Sequence, residues 1–300
     1  MKRLFRGGTV VSGSAAFPAD VLCDGEKIIR VAPEIEESAD EVVDCSGKLL
    51  LPGFIDAHTH FDLDVCNTTT ADDFYSGSRA ALRGGTTTVI DFACPNKGES
   101  LHYGLDLWHK KADGRTFCDY GFHMTIDDWN EDIRAELREM FAAGISSFKM
   151  YMTYPAMMVG DRNLYAALKE LRRLGGICGV HCENADVIDA MIAEKKAAGE
   201  MAPSSHPQTR PPELEAEAVS RLLRIAQAAD CPVVIVHLTN EEALREVEHA
   251  RRRGQTVYVE TCPQYLLLDE SVYFNEDYSS AARYVCAPPI REKRHQEALW

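Results

Sequence analysis

The sequence predicts an α/β fold, a TIM-type (β/α)8 barrel with seven of its eight units present, preceded by a small N-terminal β-sandwich portion. Short apolar runs, typical of buried parallel strands, alternate with segments that have helical spacing. Histidines stand at the ends of three of these runs, where the mouth of a barrel would lie. A doubly wound open sheet is the alternative, although it would not predict an eighth unit.

Seven apolar runs are the predicted barrel strands, at residues 49–58, 86–93, 117–124, 145–151, 177–181, 232–237 and 256–262. Apolar spacing and polar caps predict helices between them, at residues 72–82, 131–143, 163–174, 185–199, 213–229 and 241–254. Residues 293–300 look like the start of another helix. Because a barrel has eight units, we expect the chain to stop before the last one.

The first 50 residues have a different pattern from the rest. Short apolar runs at 8–11, 21–23 and 27–31 predict strands, and Asp24-Gly25 is a hairpin signal. The segment is too short to build a sandwich alone, so we expect it to pair with sequence from elsewhere in the chain. The predicted domains are therefore 1–50, part of a β-sandwich, and 51–300, a barrel that is incomplete at its C-terminal end.

Composition excludes several classes of function. The net charge is −15, from 32 basic and 47 acidic residues, which argues against nucleic acid or an anionic membrane as partner. The N-terminus has no signal-peptide pattern and no run is long enough to span a bilayer, so we expect a cytoplasmic protein. The ten cysteines are scattered without a CxxC pair, which predicts reduced thiols.

Four histidines form the candidate metal site: His58, His60, His181 and His237. The His-x-His spacing of the first two places both imidazoles on one face of a strand, and imidazole suits zinc. A single strand-end histidine is more often a core residue than a ligand, but recurrence at several strand ends reverses that preference. His123 fits the pattern without further support, and we expect the others to be solvated: His102, His109, His206, His249 and His295.

Lys149 is unusual because it lies in a run that predicts a buried strand. Burial of an ammonium is costly, so such a lysine has a depressed pKa and can act as a neutral amine. Beside two divalent cations, a neutral amine could capture CO2 and give an anionic carbamate that bridges them. A lysine paired with an acid at the barrel rim is an equally good interpretation of the position alone.

Several motifs follow one another along nearly the whole chain. Residues 52–60 (PGFIDAHTH) resemble the entry motif of the amidohydrolase superfamily. Six further segments resemble its dihydropyrimidinase/D-hydantoinase family: 72–77 (DDFYSG), 84–92 (GGTTTVIDF), 146–154 (SSFKMYMTY), 181–184 (HCEN), 260–265 (ETCPQY) and 288–292 (PPIRE).

This resemblance implies two divalent metal ions, with Zn²⁺ the first expectation. His58 and His60 would hold one ion, His181 and His237 the other, and Lys149, N-carboxylated, would bridge them. The aspartate that the family uses as a proton carrier follows strand eight and has no counterpart here, so we expect this chain to bind metal poorly and to lack full activity.

The resemblance also implies residues that contact substrate. Tyr154 would be catalytic, hydrogen-bonding the developing oxyanion, and would bind substrate together with the backbone at Cys286 and Ala287. Family members often have serine where Ala287 stands, a change that a backbone contact would survive. The implied reaction is the hydrolytic opening of a cyclic amide by a metal-bridged hydroxide, giving an N-carbamoyl amino acid.

The sequence after the His-x-His pair bears on the substrate. Relatives that bind an anionic ring have an arginine there, whereas this chain has Phe61-Asp62-Leu63-Asp64. We therefore expect neutral rings, namely 5,6-dihydropyrimidines such as dihydrouracil, or hydantoins. Five side chains could form an apolar wall that selects the ring substituent, or could be ordinary packing at the rim: Leu63, Val65, Tyr151, Met157 and Met158.

Two other functions stay open from the sequence. Collapsin response mediator proteins share this fold but are non-catalytic scaffolds that have lost metal ligands, whereas all five ligand positions are present here. Another amidohydrolase, such as an allantoinase, is the second alternative. Relatives are commonly tetramers, so the resemblance implies a homo-oligomer.

Overall fold

The computed structural model describes residues 1–65 and 68–300. The first five strands form one sheet in which β1 is central, pairing antiparallel with β2 and parallel with β4 and β5, while β3 pairs with β2. The predicted hairpin turns at Gly25, whose φ of 57° favours glycine. The strands are β1 (Lys2–Val11), β2 (Ala16–Asp24), β3 (Lys27–Ala32), β4 (Glu41–Asp44) and β5 (Leu49–Leu50).

These five strands pair with one another rather than with later parts of the described chain. Leu4, Leu22 and Ile35 form a small core on the sheet. The second layer of a sandwich, and the division into domains at residue 50, stay predictions.

A parallel sheet of seven strands is the centre of the fold, and it confirms the predicted fold class. Its strands follow one another in chain order, as in a barrel. The predicted first strand is broken at Pro52-Gly53 into β5 and β6. The strands are β6 (Phe54–Thr59), β9 (Thr86–Ala93), β10 (Asp119–Thr125), β11 (Ser147–Tyr151), β12 (Ile177–His181), β13 (Val233–Ile235) and β14 (Val257–Val259), and the short pair β7 (Asp64–Val65) and β8 (Thr68–Thr69) lies outside this sheet.

The sheet is curled towards closure. Strands β6 and β14 are its two edges, yet the His58 ring at the end of β6 contacts the carboxylate of Glu260, the residue after β14. A flat sheet of seven strands would hold these edges roughly 29 Å apart, since neighbouring strands lie about 4.8 Å apart. The carboxyl ends of the strands therefore face a common centre.

Helices follow the strands, and all six predicted ones are present. They are α1 (Phe74–Arg83), α2 (Leu101–Ala112), α3 (Glu131–Ala142), α4 (Asp161–Leu174), α5 (Ala185–Ala197), α6 (Ser205–Gln208), α7 (Pro212–Ala229), α8 (Glu241–Arg252), α9 (Pro263–Leu267), α10 (Tyr278–Ala282) and α11 (Lys293–Leu299), with a 3-10 turn at Glu270–Tyr273. Among the described helices none has the length and apolar character to cross a membrane.

Helix α2 was absent from the sequence prediction because its first turn contains a glycine and aromatic residues, which are weak helix formers. The Ser100 hydroxyl caps it by accepting from the Tyr103 backbone N–H at 3.0 Å. A Cβ at Gly104 would lie 2.8 Å from Pro95 Cδ. Close packing on the β9 loop thus overrides local propensity.

The main core lies between the parallel sheet and the helices. Alternate side chains of the strands, such as Phe148, Val180 and Ile235, are buried against Leu168 of α4 and Leu222 of α7. At the carboxyl ends of β10, β12 and β13, short loops lead into helices capped by Asn130, Asn184 and Asn240. These caps fix where each mouth loop ends.

The contact between Gly77 and Phe61 ties α1 to the loop after β6, and it yields a stability prediction. A Cβ at Gly77 would lie 2.2 Å from Phe61 Cε1. We expect Gly77→Ala to destabilise the protein by about 1–3 kcal/mol in urea unfolding, because overpacking outweighs the gain in helix propensity. The control is Arg79→Ala, on the exposed side of α1. A Gly77→Ala variant at least as stable as the parent would contradict this packing.

Candidate metal centre and substrate site

The four predicted histidines lie side by side at the carboxyl ends of the strands. His58 is on β6, His60 follows it, His181 ends β12 and His237 lies two residues beyond β13. The ring centroids of His58 and His60 are 5.1 Å apart, those of His58 and His237 5.5 Å, and those of His181 and His237 4.5 Å. Burial lowers the pKa of all four imidazoles, which favours the neutral form that binds metals.

Lys149 lies on β11 at the centre of this group and is 1% exposed. Its Nζ is 5.0 Å from the centroid of the Phe92 ring and 4.8 Å from that of Tyr151. Burial lowers its pKa to about 8, with the charge of Glu260 opposing the shift. Within the described residues no ion pair joins Lys149 to a carboxylate, so the interpretation as a rim lysine paired with an acid does not hold.

Two glutamates orient two of the imidazoles. Glu260 contacts His58 Nδ1, and Glu183 Oε2 lies 2.6 Å from His181 Nε2. These contacts use Nδ1 of His58 and Nε2 of His181, so His58 Nε2 and His181 Nδ1 are not bonded to these glutamates. Carboxylates paired with the outer nitrogen are the usual partners of metal-binding histidines, because they fix the tautomer and the ring orientation.

The donor set fits a metal. Across the described residues, the Nδ1 atoms of His60 and His237 are buried and have no hydrogen-bond partner, although buried polar atoms normally have one. In the same part of the chain no three His, Cys, Asp or Glu side chains surround one point as ligands. The assignment that the family resemblance implies does not require such a group, because it gives each ion two imidazoles and a share of the lysine.

Asp91 holds the end of β6 in place, a role that the sequence reasoning missed. Its carboxylate accepts hydrogen bonds from Thr59 Oγ1, the Phe61 backbone N–H and Trp108 Nε1, each at 2.8 Å. Burial raises its pKa to about 6, although these three donors lower it. An acid inside the apolar run 89–92 was the available signal, since a buried carboxylate needs several donors.

Arg210 is the second residue that the sequence did not reveal. Its Nη1 donates to Glu183 Oε2 at 2.7 Å, and its guanidinium carbon lies 5.6 Å from the centroid of the Tyr154 ring. Burial alone would raise the pKa of Glu183, but His181 and Arg210 outweigh it and lower the pKa to about 2. One arginine thus contacts both the glutamate that orients His181 and the predicted catalytic tyrosine.

Tyr154 lies against His181, with ring centroids 5.2 Å apart. Tyr154 and His237 both have left-handed backbone conformations, with φ of 64° and 39°. Such conformations are strained for residues with a side chain and are concentrated at functional sites. The structure therefore brings Tyr154 together with the histidines.

Cys286 and Ala287 lie on the loop before a cis Ala287–Pro288 peptide bond. The carbonyl of Cys286 accepts from His206 Nε2 at 2.6 Å, and the Tyr265 hydroxyl donates to Pro288 O at 2.7 Å. These contacts fix the backbone of the loop. Contact of Cys286 and Ala287 with a substrate stays a prediction.

Two expectations about the remaining histidines were wrong. His295 is fully buried, and its Nδ1 accepts from the Glu241 backbone N–H at 3.2 Å. His206 is half-buried, and its Nε2 donates to the Cys286 carbonyl. His123 is bonded through both ring nitrogens, to Ser147 Oγ at 2.6 Å and Ala57 O at 3.0 Å. The two wrongly predicted residues, His206 and His295, lie on short helices that pack against the barrel. Residue type alone does not reveal this packing.

A cavity of about 680 Å³ opens beside Tyr154. Leu63, Val65 and Met157 of the expected apolar wall line it. Tyr151 instead is buried beneath Tyr154, with ring centroids 6.3 Å apart, and Met158 forms a backbone bridge to Tyr151. The nine described cysteines are free thiols, and Cys66 lies outside the described residues.

Comparison with known proteins agrees with this geometry. Residues 49–206 match the amidohydrolase family, and the chain belongs to that family. Within it, the chain is similar to the dihydropyrimidinase/D-hydantoinase branch: D-hydantoinase of Geobacillus stearothermophilus is 42% identical over 302 residues, covering 100% of this chain and 64% of that protein. Dihydropyrimidinase of Rattus norvegicus is 37% identical over 295 residues, covering 96% of this chain and 57% of that protein.

A solved structure shows the same likeness. Dihydropyrimidinase from Brevibacillus agri NCHU1002 has a TM-score of 0.98 and 42% identity, covering 100% of this chain and 65% of that chain. The L-hydantoinase (dihydropyrimidinase) from Arthrobacter aurescens has a TM-score of 0.84 and 27% identity, covering 99% and 65%. This chain thus spans 57–65% of the length of these four relatives.

The buried pair of Arg210 and Glu183 gives a prediction for the site. We expect Arg210→Met to cost about 3–5 kcal/mol in urea unfolding, because it leaves a buried carboxylate without its cation. Adding Glu183→Gln removes that charge, so the double variant regains part of the loss. The exposed Arg224 provides the control, Arg224→Met, with a change of about 0.5 kcal/mol or less. Strictly additive effects of the two substitutions would contradict the coupling.

Proposed function

We propose that this chain carries the metal centre of a cyclic amidohydrolase that opens dihydropyrimidine or hydantoin rings to N-carbamoyl amino acids. The observation that carries the proposal is the convergence of His58, His60, His181 and His237 around the buried Lys149. The printed names of the relatives, D-hydantoinase and dihydropyrimidinase, support this reaction.

Two divalent cations, for which zinc is our proposal, would be held by these five residues. His58 and His60 would bind one ion, and His181 and His237 the other. When bound, the cations would lower the pKa of a water molecule and polarise the ring carbonyl. The buried neutral imidazoles and the orphaned nitrogens of His60 and His237 support this assignment.

N-carboxylation of Lys149 completes the proposed ligand set. The neutral amine nitrogen attacks CO2, a C–N bond forms and one proton leaves to solvent, which gives a carbamate with one negative charge. The depressed pKa of Lys149 supports the step because it raises the fraction of free amine at neutral pH. A carbamate between the two ions would replace an uncompensated buried ammonium with an anionic ligand.

The remaining residues position the reactants. The Tyr154 hydroxyl would donate to the oxygen of the attacked carbonyl as negative charge develops there, and Arg210 and Glu183 would hold Tyr154 and His181 in register. The backbone at Cys286 and Ala287 would bind the ring amide. Proton transfer to the leaving nitrogen needs a general acid, which the family resemblance places on an aspartate after an eighth strand.

A neutral ring is the proposed substrate class. The two buried arginines nearest the site are each paired with a glutamate, Arg210 with Glu183 at 2.7 Å and Arg291 with Glu215 at 2.9 Å. Their charge is therefore already used within the protein. The net charge of −15 further disfavours an anionic ring.

The presence of all five ligand positions favours an enzyme over a scaffold, since a scaffold needs neither the imidazoles nor the lysine. We also propose that the protein forms a homo-oligomer, as in tetrameric relatives, and that its location is cytoplasmic.

Ring-opening assays on the full-length protein test the proposed reaction. We expect zinc-loaded protein to open dihydrouracil or hydantoin, and to open the anionic dihydroorotate at least about tenfold more slowly, because Arg210 and Arg291 are already paired with glutamates and the net charge is −15. The measured quantity is the rate of amide hydrolysis, which is monitored through the loss of absorbance by the ring. Tyr154→Phe should lower kcat by about 10²–10³-fold, as for loss of an oxyanion donor. No hydrolysis of any of the three rings would contradict the proposal.

Metal content tests the ligand assignment independently of turnover. We expect two zinc ions per molecule of the full-length protein by elemental analysis, and a ¹³C carbamate resonance after growth with labelled bicarbonate. Lys149→Met should abolish the resonance and most of the metal, because it removes the shared ligand. His249→Ala, on the exposed side of α8, is the matched control and should retain both. Full zinc occupancy in Lys149→Met would show that the lysine is not a ligand.

A further inference from the structure

The cavity beside Tyr154 contains one buried acid that none of the roles above uses. Asp127 follows β10 on the loop that leads to α3, lines the 680 Å³ cavity together with Tyr154, and is 5% exposed. Throughout the described residues, its Oδ1 has no hydrogen-bond partner. Leaving a buried carboxyl oxygen unsatisfied is unfavourable, so a bound molecule that completes its hydrogen bonding would be stabilised there.

Three other polar side chains of the cavity wall differ from Asp127 because they are bonded within the protein. Asp64 Oδ1 accepts from Thr69 Oγ1 at 2.5 Å, and Asn96 Nδ2 donates to Glu99 Oε2 at 3.1 Å. The Cys94 thiol lies 3.2 Å from Thr125 Oγ1. The rest of the wall is largely apolar and includes Leu63, Val65, Pro95, Ala156 and Met157.

The charge state of Asp127 restricts what it can bind. Burial raises its pKa to about 8, although Lys97 opposes the shift, so the carboxyl is largely neutral at pH 7. A neutral carboxyl both donates and accepts. The Lys97 ammonium, which donates to Pro155 O at 2.8 Å, disfavours a cation in the same place. A neutral group that both donates and accepts is the best complement.

We propose that Asp127 is a specificity-determining residue, whose buried carboxyl hydrogen-bonds a neutral polar group, such as a hydroxyl or primary amide, at the end of a short substituent on the ring substrate. The apolar wall would contact the carbon part of that substituent while Tyr154 contacts the reacting carbonyl. This inference rests on the proposed function, since it places the ring beside Tyr154.

The test compares two hydantoins of nearly equal size, 5-hydroxymethylhydantoin and 5-ethylhydantoin, with the zinc-loaded full-length protein. The measured quantity is the ratio of their kcat/KM values. A site that hydrogen-bonds a substrate hydroxyl discriminates strongly against an analogue without it. We expect the ratio to favour the hydroxymethyl ring and to fall at least about tenfold in Asp127→Leu.

Two further variants complete the design. Asp127→Asn keeps a group that donates and accepts, so it should keep the ratio within about threefold of the parent. Asp128→Asn, one residue away and outside the cavity wall, should leave the ratio unchanged. Folding is checked by circular dichroism, and Asp127→Ala replaces the leucine variant if that variant is unfolded.

Each outcome decides a separate point. An unchanged ratio in Asp127→Leu, or in Asp127→Ala where that replaces it, overturns the role of Asp127 while leaving the proposed function intact. A parent protein that opens neither these rings nor unsubstituted hydantoin overturns the proposed function, and this inference with it. A tenfold fall in Asp127→Leu that Asp127→Asn does not share supports the hydrogen bond.

Discussion

The structure depends on one constraint: five polar side chains meet at the mouth of a curled sheet, and three of them have too few protein partners. Lys149 is almost fully buried without an ion pair among the described residues, and His60 and His237 each have an orphaned buried nitrogen. A folded protein rarely leaves such atoms unsatisfied. Divalent cations, together with carboxylation of the lysine, would resolve all three deficits at once.

Support for this centre comes from carboxylates one contact further out. Asp91 fixes the backbone on either side of His60 through Thr59 and Phe61, and Glu260 and Glu183 fix the rings of His58 and His181. Two of these acids are themselves held by the fold: Asp91 by Trp108, and Glu183 by Arg210. The geometry of these histidines therefore depends on side chains that lie one or two contacts away from them.

Sequence periodicity was sufficient for the strands, because seven apolar runs alternate with helices, and central strands such as β11 are buried along most of their length. It also placed the histidines, since a strand end in a parallel barrel determines which mouth a residue faces. The roles of Asp91 and Arg210 could not be read in this way. Each depends on partners far along the chain, such as Trp108 for Asp91 and Glu183 for Arg210, and their spacing in sequence carries no period. Asp127 was missed for the same reason: its lack of a partner becomes visible only when the cavity is assembled.

The wrong expectations have a common physical origin. His206 and His295 were assigned to solvent because short helices and loops usually lie at the surface, yet both are packed under neighbouring segments. Helix α2 was missed because its packing against Pro95 compensates for a weak first turn. In each case a tertiary contact outweighed the local signal.

X-ray absorption at the zinc edge of the loaded full-length protein tests the central claim most directly. We predict a first shell of nitrogen and oxygen only, with imidazole scattering and a metal–metal vector at about 3.5–4 Å. Because the chain also contains ten cysteines, sulfur at about 2.3 Å would show that the metal binds thiolates elsewhere. Sulfur scattering, or a single ion without the metal–metal vector, would contradict the account.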